Sequence, residues 1–215
     1  MELMDLAGFL DTASNYFVIL PLCFGLFYIK HTSALLKILL FGLVITFLNL
    51  IILKILNINS SFIFGYILAA IDILTVTLLI SKTMQSGLFR SIFLMVGLML
   101  ILFIFIDYKY ITHLNNFGIS TYIVKICIVI TTFSTLNYLY KINLDTDIFE
   151  QPIIWICFGL IFFNLFGSFE IFSLAIMNYS QNLVLQYYLL LAFVRIVMYL
   201  FFCYSFYISQ KIRDN

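Results

Sequence analysis

The sequence predicts an all-α polytopic membrane protein, a bundle of seven transmembrane helices with the N-terminus outside and the C-terminus inside. Three observations carry this. Only 10% of the 215 residues are charged and 64% are hydrophobic, against about a quarter and about a half in soluble domains. The mean hydropathy is +1.15. The apolar residues fall into seven runs of 15 to 28 residues, the length of helices that cross roughly 30 Å of hydrocarbon. Membrane β-strands would need only about 10 alternating residues each.

The runs are residues 15–29, 34–56, 62–80, 88–106, 118–140, 151–178 and 182–209, read as a single domain over 1–215. The first carries Pro21, Gly25 and Tyr28 and can begin earlier, because residues 8–14 are only mildly polar apart from Asp11. A cleaved signal peptide is not expected, since the N-terminus carries Glu2, Asp5 and Asp11 and no basic residue. The second run places Gly42, Thr46 and Asn49 along one face, and the third places Gly65, Ala69, Asp72 and Thr75. The fourth has no comparable polar stripe between Ile92 and Ile106 and is therefore expected at the periphery. The fifth presents Thr121, Lys125, Thr132 and Thr135. The sixth presents Gly159, Phe163, Gly167 and Glu170, and the seventh Tyr188, Ala192, Arg195 and Tyr199. Small and polar residues at helical spacing are what packed membrane helices show to one another. Six helices around a polar interior follow.

Orientation follows from the basic residues near the span ends. With the N-terminus outside, Lys30, Lys37, Lys82, Arg90, Lys141, Lys211 and Arg213 are cytoplasmic, against Lys54 and Lys109 on the other side. Tyr16, Tyr28, Tyr108, Tyr110, Tyr140, Tyr179 and Tyr207 stand near span ends, as interfacial anchors do.

Four ionisable residues lie within the spans: Asp72, Lys125, Glu170 and Arg195. Each costs roughly 2.5 to 3.5 kcal/mol or more at the bilayer centre if left alone, so each should be paired or face a wet cavity. At 1.5 Å per residue from the outer ends, Asp72 and Arg195 lie about 15 and 20 Å deep, and Lys125 and Glu170 about 10 and 12 Å. Matched depth predicts the pairs Asp72 with Arg195 and Lys125 with Glu170. Such pairs can serve as interhelical glue. Intramembrane charges also point to ligand sites, here a polar interior built from Asp72, Arg195, Lys125, Glu170, Asn49, Asn164, Tyr188 and Tyr199.

Much chemistry is excluded. His31 and His113 fall on opposite sides of the membrane and cannot share a metal or a catalytic dyad. No HExxH, GxSxG, P-loop or GxGxxG occurs. Cys23, Cys127, Cys157 and Cys203 all fall in spans, which argues against a disulfide framework. A retinal Schiff base needs a lysine in the last span, where this chain has Arg195. No catalytic residue, metal or cofactor is expected. The loop 141–150 is acidic through Asp145, Asp147 and Glu150, which argues against nucleic acid.

The segment Pro21-Leu-Cys-Phe-Gly25 followed by Tyr28 and Lys30, Asn59 before an acid-bearing third span, and Pro152-Ile-Ile-Trp155 leading to Gly159 and Gly167-Ser-Phe-Glu170 resemble a family of small uncharacterised seven-helix bacterial inner-membrane proteins. Its members are often encoded near sensor histidine kinases, and they usually carry Glu where this chain has Asp72. A weaker likeness to lysoplasmalogenase-like membrane enzymes lacks their Gly-Asp pair around Ala70-Ile71-Asp72. The resemblance implies a sensor or signalling module in the bacterial cytoplasmic (inner) membrane, with the lipid bilayer and a cytoplasmic sensor kinase or regulator as partners. The alternatives are a small-solute transporter and a lipid-modifying intramembrane enzyme using Asp72 or Glu170.

Overall fold

A computed structural model describes residues 3–30, 32–55, 62–84, 87–107, 119–142, 148–168 and 181–214. His31, Lys109, His113, Asp145, Asp147, Glu170, Tyr108, Tyr110 and Tyr179 lie outside these residues, as does the side chain of Tyr188. Among the described residues all regular structure is helical. The helices are α1 (Leu3–Tyr16), α2 (Ile19–Phe27), α3 (Ala34–Ile55), α4 (Phe62–Thr83), α5 (Gly87–Ile106), α6 (Ile119–Ile142), α7 (Pro152–Ser168) and α8 (Gln181–Asp214). A single 3-10 turn, Ile148–Glu150, precedes α7.

The first apolar run is a broken rod made of α1 and α2, and its helix begins well before residue 15. Pro21 has no N–H to offer the carbonyl of Phe17, four residues back. That carbonyl accepts instead from the N–H of Leu20 at 3.0 Å, while the N–H groups of Phe17 and Val18 reach back three residues to Ser14 and Asn15. The helix tightens and breaks at Phe17–Val18.

Four helical stretches among the described residues are long and apolar enough to cross a membrane: Ala34–Ile55, Gly87–Ile106, Tyr122–Ile142 and Leu185–Lys211. Large apolar side chains point outward from them, among them Phe41, Met99 and Phe193, each at least 60% exposed. Such surfaces suit hydrocarbon and would aggregate in water.

Contacts run in a closed order, from α1 and α2 to α3, α4, α6, α7 and α8, with α8 packing back on α1 and α2. Helix α5 leans on α4 and touches α6 from outside the ring. Only 11% of its apolar stretch is buried, against 50% for α8, so the fourth span is peripheral as its sequence predicts. Gly97 lets it approach, because a Cβ there would overlap the side chain of Thr77 on α4. On the opposite wall of α4, Thr75 fills the space where Gly42 of α3 lacks a side chain.

One end of the ring is plugged. Leu36, Leu39 and Leu40 of α3, Ile153, Ile154 and Ile156 of α7, and Phe202 and Phe206 of α8 form one buried apolar cluster. Gly25 of α2 belongs to this plug, since a Cβ there would stand 2.6 Å from Leu40 and 2.9 Å from Phe206. A second cluster joins α4, α5 and α6 through Tyr66, Ile73, Val76, Ile80, Ile104, Val124 and Ile128. Between the two the ring is not filled.

Candidate functional site

The unfilled region is a cavity of about 170 Å³ walled by α1, α3, α4, α6, α7 and α8. A water site takes about 10–15 Å³ by this measure, so several waters or one small solute fit. Its polar lining is Asn15, Thr46, Asp72, Thr75, Asn164, Arg195 and Tyr199. Leu39, Leu43, Leu79, Met198 and Phe202 line it on the side of the apolar plug. The result is an apolar floor with polar groups above it.

Asp72 is the central group. It stands ten residues from Phe62 and eleven from Thr83, midway along α4, yet its side chain is exposed. Its place in the cavity wall explains both facts. Among the described residues no hydrogen bond or ion pair engages its carboxylate. The expected direct pair with Arg195 is therefore not formed among the described residues. Depth along a helix fixes a residue's level and leaves open which neighbour it faces.

Arg195 lines the same cavity and is held from two sides. Its Nη1 donates to Oγ of Ser14 at 2.8 Å, and its guanidinium lies 5.8 Å from the ring centroid of Phe163, within cation–π range. Arg195, Asp72 and Tyr199 all line the cavity. The two charges thus share one small volume without neutralising each other directly. Asn164 enters the wall with its Nδ2 donating to the carbonyl of Leu160 at 2.8 Å.

Lys125 does not line the cavity. Its Nζ donates to the carbonyl of Gly167 at 3.2 Å and stands 5.5 Å from the ring centroid of Tyr122. Gly167 is in the last turn of α7, where carbonyls lack helical partners and a cation is favoured. Its expected partner Glu170 lies outside the described residues, so that pair is not described. Asn49 is buried one turn beyond Thr46 and is not among the residues lining the cavity, and among the described residues no acceptor reaches its Nδ2.

Three polar residues not singled out in the sequence matter here. Ser14 is fully buried and receives Arg195; Asn15 lines the cavity; Asp107, at the end of α5, is fully buried and accepts from the hydroxyl of Tyr66 at 3.4 Å. Each lies just outside or at the margin of an apolar run, where hydropathy gives no burial signal.

No protein-family model, curated protein or solved structure matches this chain.

Proposed function

We propose that this chain is a seven-span, N-out, single-domain sensor or signalling module of a bacterial cytoplasmic membrane, which binds a small ligand in the ring cavity and passes the change to a cytoplasmic sensor kinase or regulator. One observation carries the reading: Asp72, exposed, without a hydrogen-bond or ion-pair partner among the described residues, midway along α4 and lining the cavity. Charge is costly there and persists where it serves a site. Helix α8 supplies the link to the cytoplasm. It contributes Arg195 and Tyr199 to the cavity and runs 34 residues, about 51 Å, against roughly 30 Å of hydrocarbon. A ligand that binds one packing of α6, α7 and α8 more tightly than another shifts the balance between them.

A labelling enzyme fused after Asn215 tests this in cells. It should mark a kinase or another cytoplasmic regulator, and the labelling should change in Asp72→Asn. Sealed vesicles containing the protein should move no solute. Solute flux without a regulator would replace the reading by transport, the second reading, which the break at Phe17–Val18 beside the cavity favours. Broken helices near a central site are the usual build of transporters.

A further inference from the structure

From the aromatic ladder of Trp155, Tyr204 and Tyr207 that leads to Lys211 we infer that the outer face of α7 and α8, at the plugged end of the ring, seats an anionic phospholipid, its phosphate on Lys211 and an acyl chain along the rings. The inference stands apart from the reading of the cavity.

Contacts between helices set the level of these residues. Gly25 of α2 meets Leu40 of α3 and Phe206 of α8, and Trp155 of α7 meets Phe201 and Tyr204 of α8, so the first turns of α3 and α7 and the last turns of α8 stand together. Gly42, in the first half of α3, faces Thr75, in the second half of α4, and Leu139 of α6 joins the same apolar plug. The exposed cations Lys37, Lys82, Lys141 and Lys211 therefore lie at this end, and Arg90 joins them because only residues 84–86 separate α4 from α5. Exposed Lys54 stands at the other end, in the last turn of α3. A collar of this kind attracts anionic headgroups.

On that collar α8 carries one built face. Tyr204, Tyr207 and Lys211 follow at steps of three and four, which puts them on one side of the helix, and all three are exposed. The rings of Tyr204 and Tyr207 stack at 6.2 Å between centroids. Lys211 stands about 10 Å beyond Tyr204 along the axis, and a headgroup layer is roughly 5 to 8 Å thick. A ring at the hydrocarbon boundary thus has its lysine among the phosphates. The apolar side of the site is Trp155 with Phe158, an exposed ring 6.1 Å away. Exposed rings leading to a cation favour a lipid over an acidic protein surface, because an acyl chain covers the rings while the phosphate meets the ammonium. The tyrosine hydroxyls can donate to phosphate or glycerol oxygens. A zwitterionic headgroup brings an ammonium of its own, which Lys211 repels; phosphatidylglycerol brings none.

Trp155 is the only tryptophan, so its fluorescence reports the lipid beside the ladder. The test places the full chain in phosphatidylcholine vesicles containing a minor share of lipid brominated high on its chains, either phosphatidylglycerol or phosphatidylcholine. At low salt the brominated phosphatidylglycerol should quench at least twofold more. Lys211→Gln should remove at least half of that excess, while Lys211→Arg and, at the other end, Lys54→Gln should keep it. Lys211 is exposed in the last turn of α8, so these changes leave the packing intact. Equal quenching by the two lipids overturns the inference and leaves the collar to an acidic partner protein. An excess that Lys211→Gln leaves whole, or that Lys54→Gln reduces as much, overturns it as well. Sodium phosphate should lower the excess no more than sodium chloride of equal ionic strength does; a stronger effect would make this a site for free phosphate and overturn the lipid. The comparison of the two lipids on the unmodified chain decides even if a variant does not fold.

Discussion

Nη1 of Arg195 donates to Oγ of Ser14 across 2.8 Å, tying the middle of α8 to the last turn of α1 just before the chain breaks at Phe17–Val18. Ser14 is fully buried, so the hydroxyl has no water to replace the guanidinium. Interhelical polar contacts in membranes average about 0.6 kcal/mol and reach about 1.7. Ser14→Ala should lower stability by an amount in that range, read as a drop in unfolding midpoint in mixed micelles. Ser14→Thr, which keeps the hydroxyl, should lose less.

Lys125 closes the end of α7 through the Gly167 carbonyl. Cations at a helix C-terminus contribute about 0.3 to 1 kcal/mol, and up to about 2 when partly buried. Lys125→Met should therefore speed amide hydrogen exchange in residues 164–168 severalfold while leaving the first turns of α7 unchanged, and Lys125→Arg should restore protection. Equal acceleration along the whole helix would mean that Lys125 matters for packing and not for the cap.

The contact of α5 with α4 depends on Gly97. A Cβ there overlaps Thr77, whereas nothing stands within 4 Å of a Cβ at Gly87. Overpacking typically costs about 1 to 3 kcal/mol, so Gly97→Ala should destabilise by about that much and Gly87→Ala should be close to neutral. Adding Thr77→Ala to Gly97→Ala should recover part of the loss, because two of the three overlapping Thr77 atoms disappear. Chemical unfolding of the four proteins checks this.

Trp155, the only tryptophan, packs against Tyr204 at 4.6 Å and Phe201 at 5.7 Å between ring centroids, and its Nε1 donates to the Phe149 carbonyl at 2.8 Å. Phe149, Phe158 and Tyr204 around it are all exposed. Amphipathic rings of this kind mark the membrane–water boundary. Fluorescence of the unmodified protein should be quenched at least twofold more by lipids brominated near the headgroup than by lipids brominated near the chain end.

The polar ring was legible because small and polar residues recur at helical spacing in six runs and not in the fourth; Thr132 and Thr135, both fully buried, and the exposed α5 follow that pattern. Pairing was not legible. Depth counted along each run put Asp72 level with Arg195, but the angle of each side chain around its helix depends on packing, and Ser14 competes for the guanidinium. Ser14 and Asp107 escaped because one precedes the apolar run and the other ends it, where a hydropathy boundary is uncertain by a few residues. Gly97, the residue that seats α5, carries no polar signal at all.

Asp72 separates a site from a scaffold. If its charge held the bundle together, removing it would cost stability, as truncating one member of a buried pair does. No hydrogen bond or ion pair among the described residues depends on it, and its charge sits midway along α4. Asp72→Asn keeps the shape and removes a carboxylate whose charge costs roughly 2.5 to 3.5 kcal/mol when isolated at the centre of a membrane. The variant should be as stable as the parent or more so, by at most about 3 kcal/mol, while Ser14→Ala is less stable. Unfolding of both variants in the same micelles decides: a large loss in Asp72→Asn would make the carboxylate structural glue and remove the basis for a ligand there. Stability retained at Asp72 and lost at Ser14 would place the structural role at Ser14 and Arg195, and leave Asp72 free to serve a ligand.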